Sequence, residues 1–329
     1  MADMRKRERI KLALEGKPVD RVPVAFWRHW PGDDQRPDSL ADVALEFQRQ
    51  HDLDFIKVPV SSTYCVDDYG VKHGYSGTAM GDRDYLERVI KRVEGWERIE
   101  PLDIRKGTYG WHLEAVRRIV EKREKDTPVI FTMFNPLAMA CYLAGDELCL
   151  SHLRSEPEQV RKALKALTET SVRFASAAIK EGCDGIFLSV RAASYEVMSE
   201  GEYLEFGRPG DLEVFKAASA GWFNVLHLHG QHPMFVALSD YPAQAVNWHD
   251  RSAGPDLAKA SGLCTKALMG GVEQFRTLRF GTPQDVEAQV RDAIRQTRGL
   301  RLIVTPGCTY NLDVPQANLR AMRQAVEKP

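Results

Sequence analysis

The chain has 329 residues, 43% hydrophobic and 28% charged, with a formal net charge of −1 at pH 7. That composition is ordinary for a globular enzyme and ample for a large core without crosslinks. The balanced charge gives no global field toward nucleic acid or an anionic membrane, and no run of about 18 apolar residues offers a membrane span.

The basic opening, Arg5-Lys6-Arg7, is interrupted by Glu8 and has no apolar run after it, so it does not read as a signal peptide. A helix is expected around residues 5–14. Eight short apolar runs follow, at 22–27, 55–60, 128–134, 185–190, 223–229, 245–248, 267–272 and 302–305. They are rich in Val, Ile and Phe and nearly continuous, the pattern of parallel strands buried on both faces. Helical patterns lie between them at 111–125, 156–180, 285–298 and 316–328. Thr282-Pro283 reads as a helix start with proline in the first turn; Ser155-Glu156-Pro157 reads similarly, and Gly182 as a helix end. The expectation is an α/β fold: a single (β/α)₈ TIM barrel spanning 1–329, with an N-terminal helix and an insertion (61–127) between strands two and three. An open doubly wound sheet is the competing architecture, but no glycine-rich fingerprint follows the first strand. Six scattered cysteines argue against a disulfide framework and for a reducing, cytoplasmic setting.

Barrel chemistry sits at the C-terminal ends of the strands. The first run ends at Trp27-Arg28-His29, the third at Phe134-Asn135, the fourth at Arg191. The fifth ends at His227-Leu228-His229, the sixth at Trp248-His249-Asp250, the eighth at Gly307-Cys308. His227 and His229 are two apart on a strand, so both point to one face. We read strands five and eight as lying across the barrel, so that Cys308 joins the two imidazoles in a three-ligand site suited to Zn²⁺, with one position open. The alternative is two hydrogen-bonding histidines in a polar pocket beside a packed thiol.

The opening Arg7-Glu8-Arg9, Ala13-Leu14-Glu15-Gly16-Lys17-Pro18-Val19-Asp20-Arg21-Val22-Pro23, then Phe26-Trp27-Arg28, Asn135-Pro136, Tyr142, Asn247-Trp248, Gly270-Gly271-Val272-Glu273, Pro306-Gly307-Cys308 and Asn318-Leu319-Arg320-Ala321 together resemble the uroporphyrinogen decarboxylase superfamily over nearly the whole length. The resemblance implies a (β/α)₈ barrel and a homodimer. True decarboxylases of this group need no cofactor. Arg28 and Tyr142 match two of their site residues, but the glycine-arginine-tyrosine element after Arg28 is missing, no acid stands in 58–63, and Cys308 replaces their histidine. The cobamide-dependent methyltransferases are closer. They hold zinc on a His-x-Cys pair and a distant cysteine; His227 and Cys308 match, while His229 stands for cysteine.

Exchanging a thiolate for an imidazole makes a metal site more positive and harder, which favours an oxygen ligand. Arg191 stands where the resemblance leads one to expect an acid; with Arg28 it is read as a clamp for a substrate carboxylate, or else as paired with Asp250 or Glu196. We take Arg28, Tyr142, Arg191 and His249 as candidate catalytic residues. His249 is read as fourth ligand, outer-shell partner or base. Trp27, Asn135, Trp248 and Asp250 are candidate substrate contacts, with capping of the next helix the favoured role for Asp250. Lys57, inside a strand run, is placed at the mouth or turned outward. The expected function is zinc-dependent methyl transfer between a small, carboxylated substrate and a corrinoid or thiol, the corrinoid carried by a partner protein. A zinc lyase or hydrolase, or a cofactor-free decarboxylase of another acid, is the alternative.

Overall fold

A computed structural model describes residues 4–327. Among these, seven strands form one parallel sheet: β1 (Ile56–Val58), β4 (Val129–Phe134), β5 (Gly185–Val190), β6 (Val225–Leu228), β7 (Ala245–Trp248), β8 (Ala267–Val272) and β9 (Leu302–Pro306), adjacent in that order. Two more, β2 (Lys72–Gly74) and β3 (Asp84–Glu87), pair antiparallel as a separate hairpin. Every larger strand from β4 onward is buried along almost its whole length, which explains its unbroken apolar run. Sequential parallel neighbours joined by outer helices make the sheet curl in the TIM-like manner.

The first expected strand, 22–27, has no ladder of its own. It contributes one parallel bridge, Val24 to Val304. Around it the Ala25 amide donates to the Val304 carbonyl (3.1 Å) and the Val304 amide to Pro23 (2.8 Å). On the other side the Asp54 amide donates to the Val24 carbonyl (3.0 Å), and the Val24 amide donates to the Asp54 carboxylate (2.7 Å). Pro23 has no N–H to extend a ladder, and a side chain takes over. Asp54 in turn accepts from Arg9 and Arg21, each at 2.7 Å, and Arg9 also binds Asp20. The conspicuous N-terminal motif is thus a buried ion network at the seam of the sheet.

Element boundaries differ in places. The expected helix at 156–180 is Pro157–Lys180; Ser155 ends the preceding helix, Asp146–Ser155, and gives no cap. Its C-cap is Glu181, with Gly182 following in the left-handed region at φ 101°. Thr282 does cap Pro283–Thr297, in a reciprocal box with Asp285. The last helix is Gln316–Ala325; Lys328 lies outside the described residues. Segment 61–127 holds the hairpin, a 3₁₀ turn (Val93–Arg98) and the helices Tyr64–Asp67 and Gly107–Lys122. Among the described residues no helix is long and apolar enough to cross a membrane.

Candidate metal centre

Strand alternation turns His227 and His229 into the space enclosed by the sheet, while Leu226 and Leu228 pack away from it. Cys308, just past β9, meets both: its Sγ lies 3.6 Å from His227 Nε2 and 3.6 Å from His229 Nδ1. β6 and β9 are separated by two strands, not opposed across the barrel. The arc between them brings in His249 from the end of β7. Ligand atoms of His227, His229, His249 and Cys308 all lie within 4.8 Å of one another. Gly307 permits this approach, since a Cβ there would sit 2.8 Å from the His249 Cα.

Two of the three imidazoles are oriented by amide side chains. The side-chain nitrogen of Asn247 donates to the Met269 and Pro306 carbonyls at 2.9 and 3.1 Å, so its oxygen must face His227 Nδ1, 2.6 Å away. His227 therefore carries its proton on Nδ1 and turns a bare Nε2 toward Cys308. Phe187 stacks on the same ring at 5.1 Å. His249 Nδ1 contacts the amide of Gln274 at 2.8 Å, and its Nε2 is buried without a partner. Burial works against ionisation of Cys308, but the charge and hydrogen bond of His227, then contacts from His229 and His249, outweigh it and hold the thiol well below its usual range. Burial likewise lowers His227, so its neutral form is favoured. A thiolate beside neutral imidazoles, one with an orphaned buried nitrogen, is a donor set that fits zinc.

A cavity of about 470 Å³ extends from these donors, bordered by Trp27, Arg28, Lys57, Phe134, Tyr142, Phe187 and Arg191 among others. Of the candidate residues, Trp27, Arg28, Tyr142 and Arg191 reach it. Arg28 lies flat on Trp30 at 3.8 Å, and its Nε is buried without a partner. Arg191 is paired with neither Asp250 nor Glu196. It binds both oxygens of Asp146, at 2.6 and 2.8 Å, and this pair also borders a second cavity of about 210 Å³.

Three candidate substrate contacts do not border the main cavity. Asn135 caps the helix Pro136–Ala144 through the Ala138 amide and donates to buried Asp211 at 2.8 Å. Trp248 is fully buried and donates to the Pro255 carbonyl. Asp250 caps no helix; it accepts the Gly271 amide at 3.0 and 3.1 Å, and Asp256 caps the helix that follows. His232 is exposed and pairs with Glu196. Sequence reading missed Asp146, Gln274 and Phe187. Gln274 follows the Gly-Gly-Val-Glu motif directly, so its place after β8 was a usable signal.

Fold and rim together define a TIM-like barrel protein with a His/Cys donor cluster at its mouth. The chain belongs to the uroporphyrinogen decarboxylase (URO-D) family, whose model matches residues 5–329. It is 25% identical to the methylcobamide:CoM methyltransferase MtbA of Methanosarcina acetivorans, over 98% of this chain and 97% of that one. The methylcobamide:CoM methyltransferase MtaA of Methanosarcina barkeri is 24% identical over the same shares. Among solved structures, a methyltransferase from Methanosarcina mazei superposes with a TM-score of 0.86 at 23% identity, covering 98% of both chains.

Proposed function

We propose that this protein is a zinc-dependent methyltransferase moving a methyl group between a corrinoid and a small carboxylated substrate or thiol. The observation that carries the proposal is the convergence of His227, His229, His249 and Cys308 with one buried, unpartnered nitrogen. These residues would hold the metal, which when bound supplies a Lewis acid able to polarise or activate the acceptor. The chain's own contributions are separate. Asn247 fixes the His227 tautomer, Gln274 orients His249, and the packed rings of Trp27 and Phe187 wall the cavity beside the donors. The names of the relatives support methyl transfer and a corrinoid partner. We further infer that the 22–27 segment completes the barrel as its eighth strand, and that 1–329 forms one domain.

The experiment is metal content by plasma mass spectrometry on the purified protein and on His227→Ala, followed by demethylation of methylcobalamin with zinc-loaded protein and a panel of thiols and carboxylates. Zinc in the wild type, its loss in the variant and demethylation dependent on an acceptor support the proposal. A metal-free protein that stays metal-free after zinc reconstitution overturns it. The third imidazole favours a second reading, a zinc lyase or hydrolase on the same substrates, for which turnover would not need a corrinoid.

A further inference from the structure

Five cationic side chains border the cavity: Arg28, Lys57, Arg83, Arg88 and Arg191. Four are engaged. Arg83 pairs with Asp34 at 2.5 Å and Arg191 with Asp146. Arg88 donates to the Tyr142 carbonyl at 2.5 Å and covers the Tyr85 ring. Arg28 is laid on Trp30 and donates one long bond, 3.4 Å, to the Leu312 carbonyl, leaving its Nε without a partner.

Lys57 differs. It is the middle residue of β1, where Ile56 and Val58 are buried against the outer layer and Lys57 alone turns inward, half-buried. Its ammonium meets ring faces only, Phe187 at 4.6 Å and Trp27 at 5.2 Å. Among the described residues it has no hydrogen-bond acceptor and no carboxylate partner. A cation drawn into an apolar wall without an anion is costly, and ring faces return only part of that cost. Burial pushes Lys57 down to about 7, against a smaller opposing effect of Cys308. The Phe187 ring that supports Lys57 also stacks on His227, so the ammonium and the donor cluster lie within one small molecule's length.

We propose that Lys57 is the anion anchor of this cavity, taking the carboxylate of a small monoanionic substrate whose other end reaches the donors on His227, His229 and Cys308. A single ammonium between two rings neutralises one charge. A phosphate dianion would bring a second, strongly hydrated charge to a wall where Arg83, Arg88 and Arg191 are already committed to protein acceptors. The assignment rests on the methyltransferase reading only for what happens at the far end of the substrate. It makes Lys57 a specificity-determining residue, distinct from Arg191 at the rim.

The test reads binding, not turnover, so it stands apart from whether methyl transfer is found. Full-length protein, with and without added zinc, is trace-labelled with acetic anhydride near neutral pH, and the Lys57 peptide is quantified by mass spectrometry. Propionate should slow labelling of Lys57 at least about tenfold, while propionamide and inorganic phosphate leave it unchanged. By calorimetry, Lys57→Met should weaken propionate binding at least about tenfold and Lys57→Arg should largely retain it. Methionine fits between the two rings, and an unchanged thermal melt identifies a folded variant. Labelling that propionate does not slow, protection by phosphate or propionamide equal to that by propionate, or full propionate binding by a folded Lys57→Met protein would each overturn the assignment.

Discussion

The side-chain oxygen of Asn247 accepts the Nδ1 proton of His227 across 2.6 Å, while its nitrogen is committed to two backbone carbonyls. Outer partners of this kind hold a ligating imidazole in one tautomer. Asn247→Leu should therefore weaken zinc binding about 10- to 100-fold, measured by competition with a chromophoric chelator. It also leaves the Met269 and Pro306 carbonyls without that donor, which should cost about 1–3 kcal/mol in urea unfolding. Wild-type zinc affinity in the variant would remove the orienting role.

The four donors should not contribute equally. Cys308→Ala removes the only anionic ligand and should strip most zinc from the protein. His249→Gln removes one imidazole of three and should weaken binding while leaving measurable zinc. Plasma mass spectrometry on both variants checks this, and full metal retention in Cys308→Ala would end its assignment as a ligand.

Arg191 and Asp146 are each more than a third exposed, with side-chain exposures of 39% and 47%. An ion pair in that setting contributes about 0–1 kcal/mol. Arg191→Met should thus melt close to wild type and bind propionate within about twofold of it, whereas Lys57→Met loses binding. A large loss of propionate affinity in Arg191→Met would return the clamp role to Arg191.

Asp54 stands otherwise. It is fully buried between Arg9 and Arg21 and accepts the Val24 amide. Asp54→Ala leaves two buried cations short of a partner, and about 3–5 kcal/mol should be lost on chemical denaturation. A shift under 1 kcal/mol would show that the seam holds without its carboxylate.

Burial raises the Asp211 carboxyl to about 6, although hydrogen bonds from Tyr203, Asn135 and Tyr241 work to lower it. A carboxyl raised in the folded state binds its proton more tightly there than when unfolded. Its stabilising contribution is complete below the unfolded value near 3.8 and is lost as pH rises through about 6. Asp211→Asn lacks this titration, so its stability relative to wild type should improve between about pH 4 and pH 7, read by urea unfolding at each pH. A constant difference would place the carboxyl's titration elsewhere.

Sequence patterning exposed the parallel strands well, because strands covered on both faces must be apolar throughout. Four expected runs changed by no more than two residues at either end, and three matched outright. The 22–27 run was legible as apolar but not as a segment held by a carboxylate, because Asp54 is thirty residues away in sequence. The pairing of His227, His229 and Cys308 followed from periodicity plus strand ends. The inclusion of His249 in the cluster, and the exclusion of Asn135, Trp248 and Asp250 from the cavity, depended on which way each side chain turned at a strand end. Periodicity does not reach past the last paired residue. The sequence offers Arg191 a substrate carboxylate or else Asp250 or Glu196, and not its actual partner Asp146, which lies on a helix start that carried no signal of its own.

All four donors fall between residues 227 and 308, whereas Lys57 and Trp27 come from the first sixty residues. On the proposed roles, reactivity and recognition occupy separate stretches of one polypeptide, which meet across the cavity and again at the Val24–Val304 seam. A chimera carrying the first stretch of a relative on the second stretch of this chain should exchange the acceptor preference and keep the metal chemistry, provided that the seam of Val24 with Val304 is preserved.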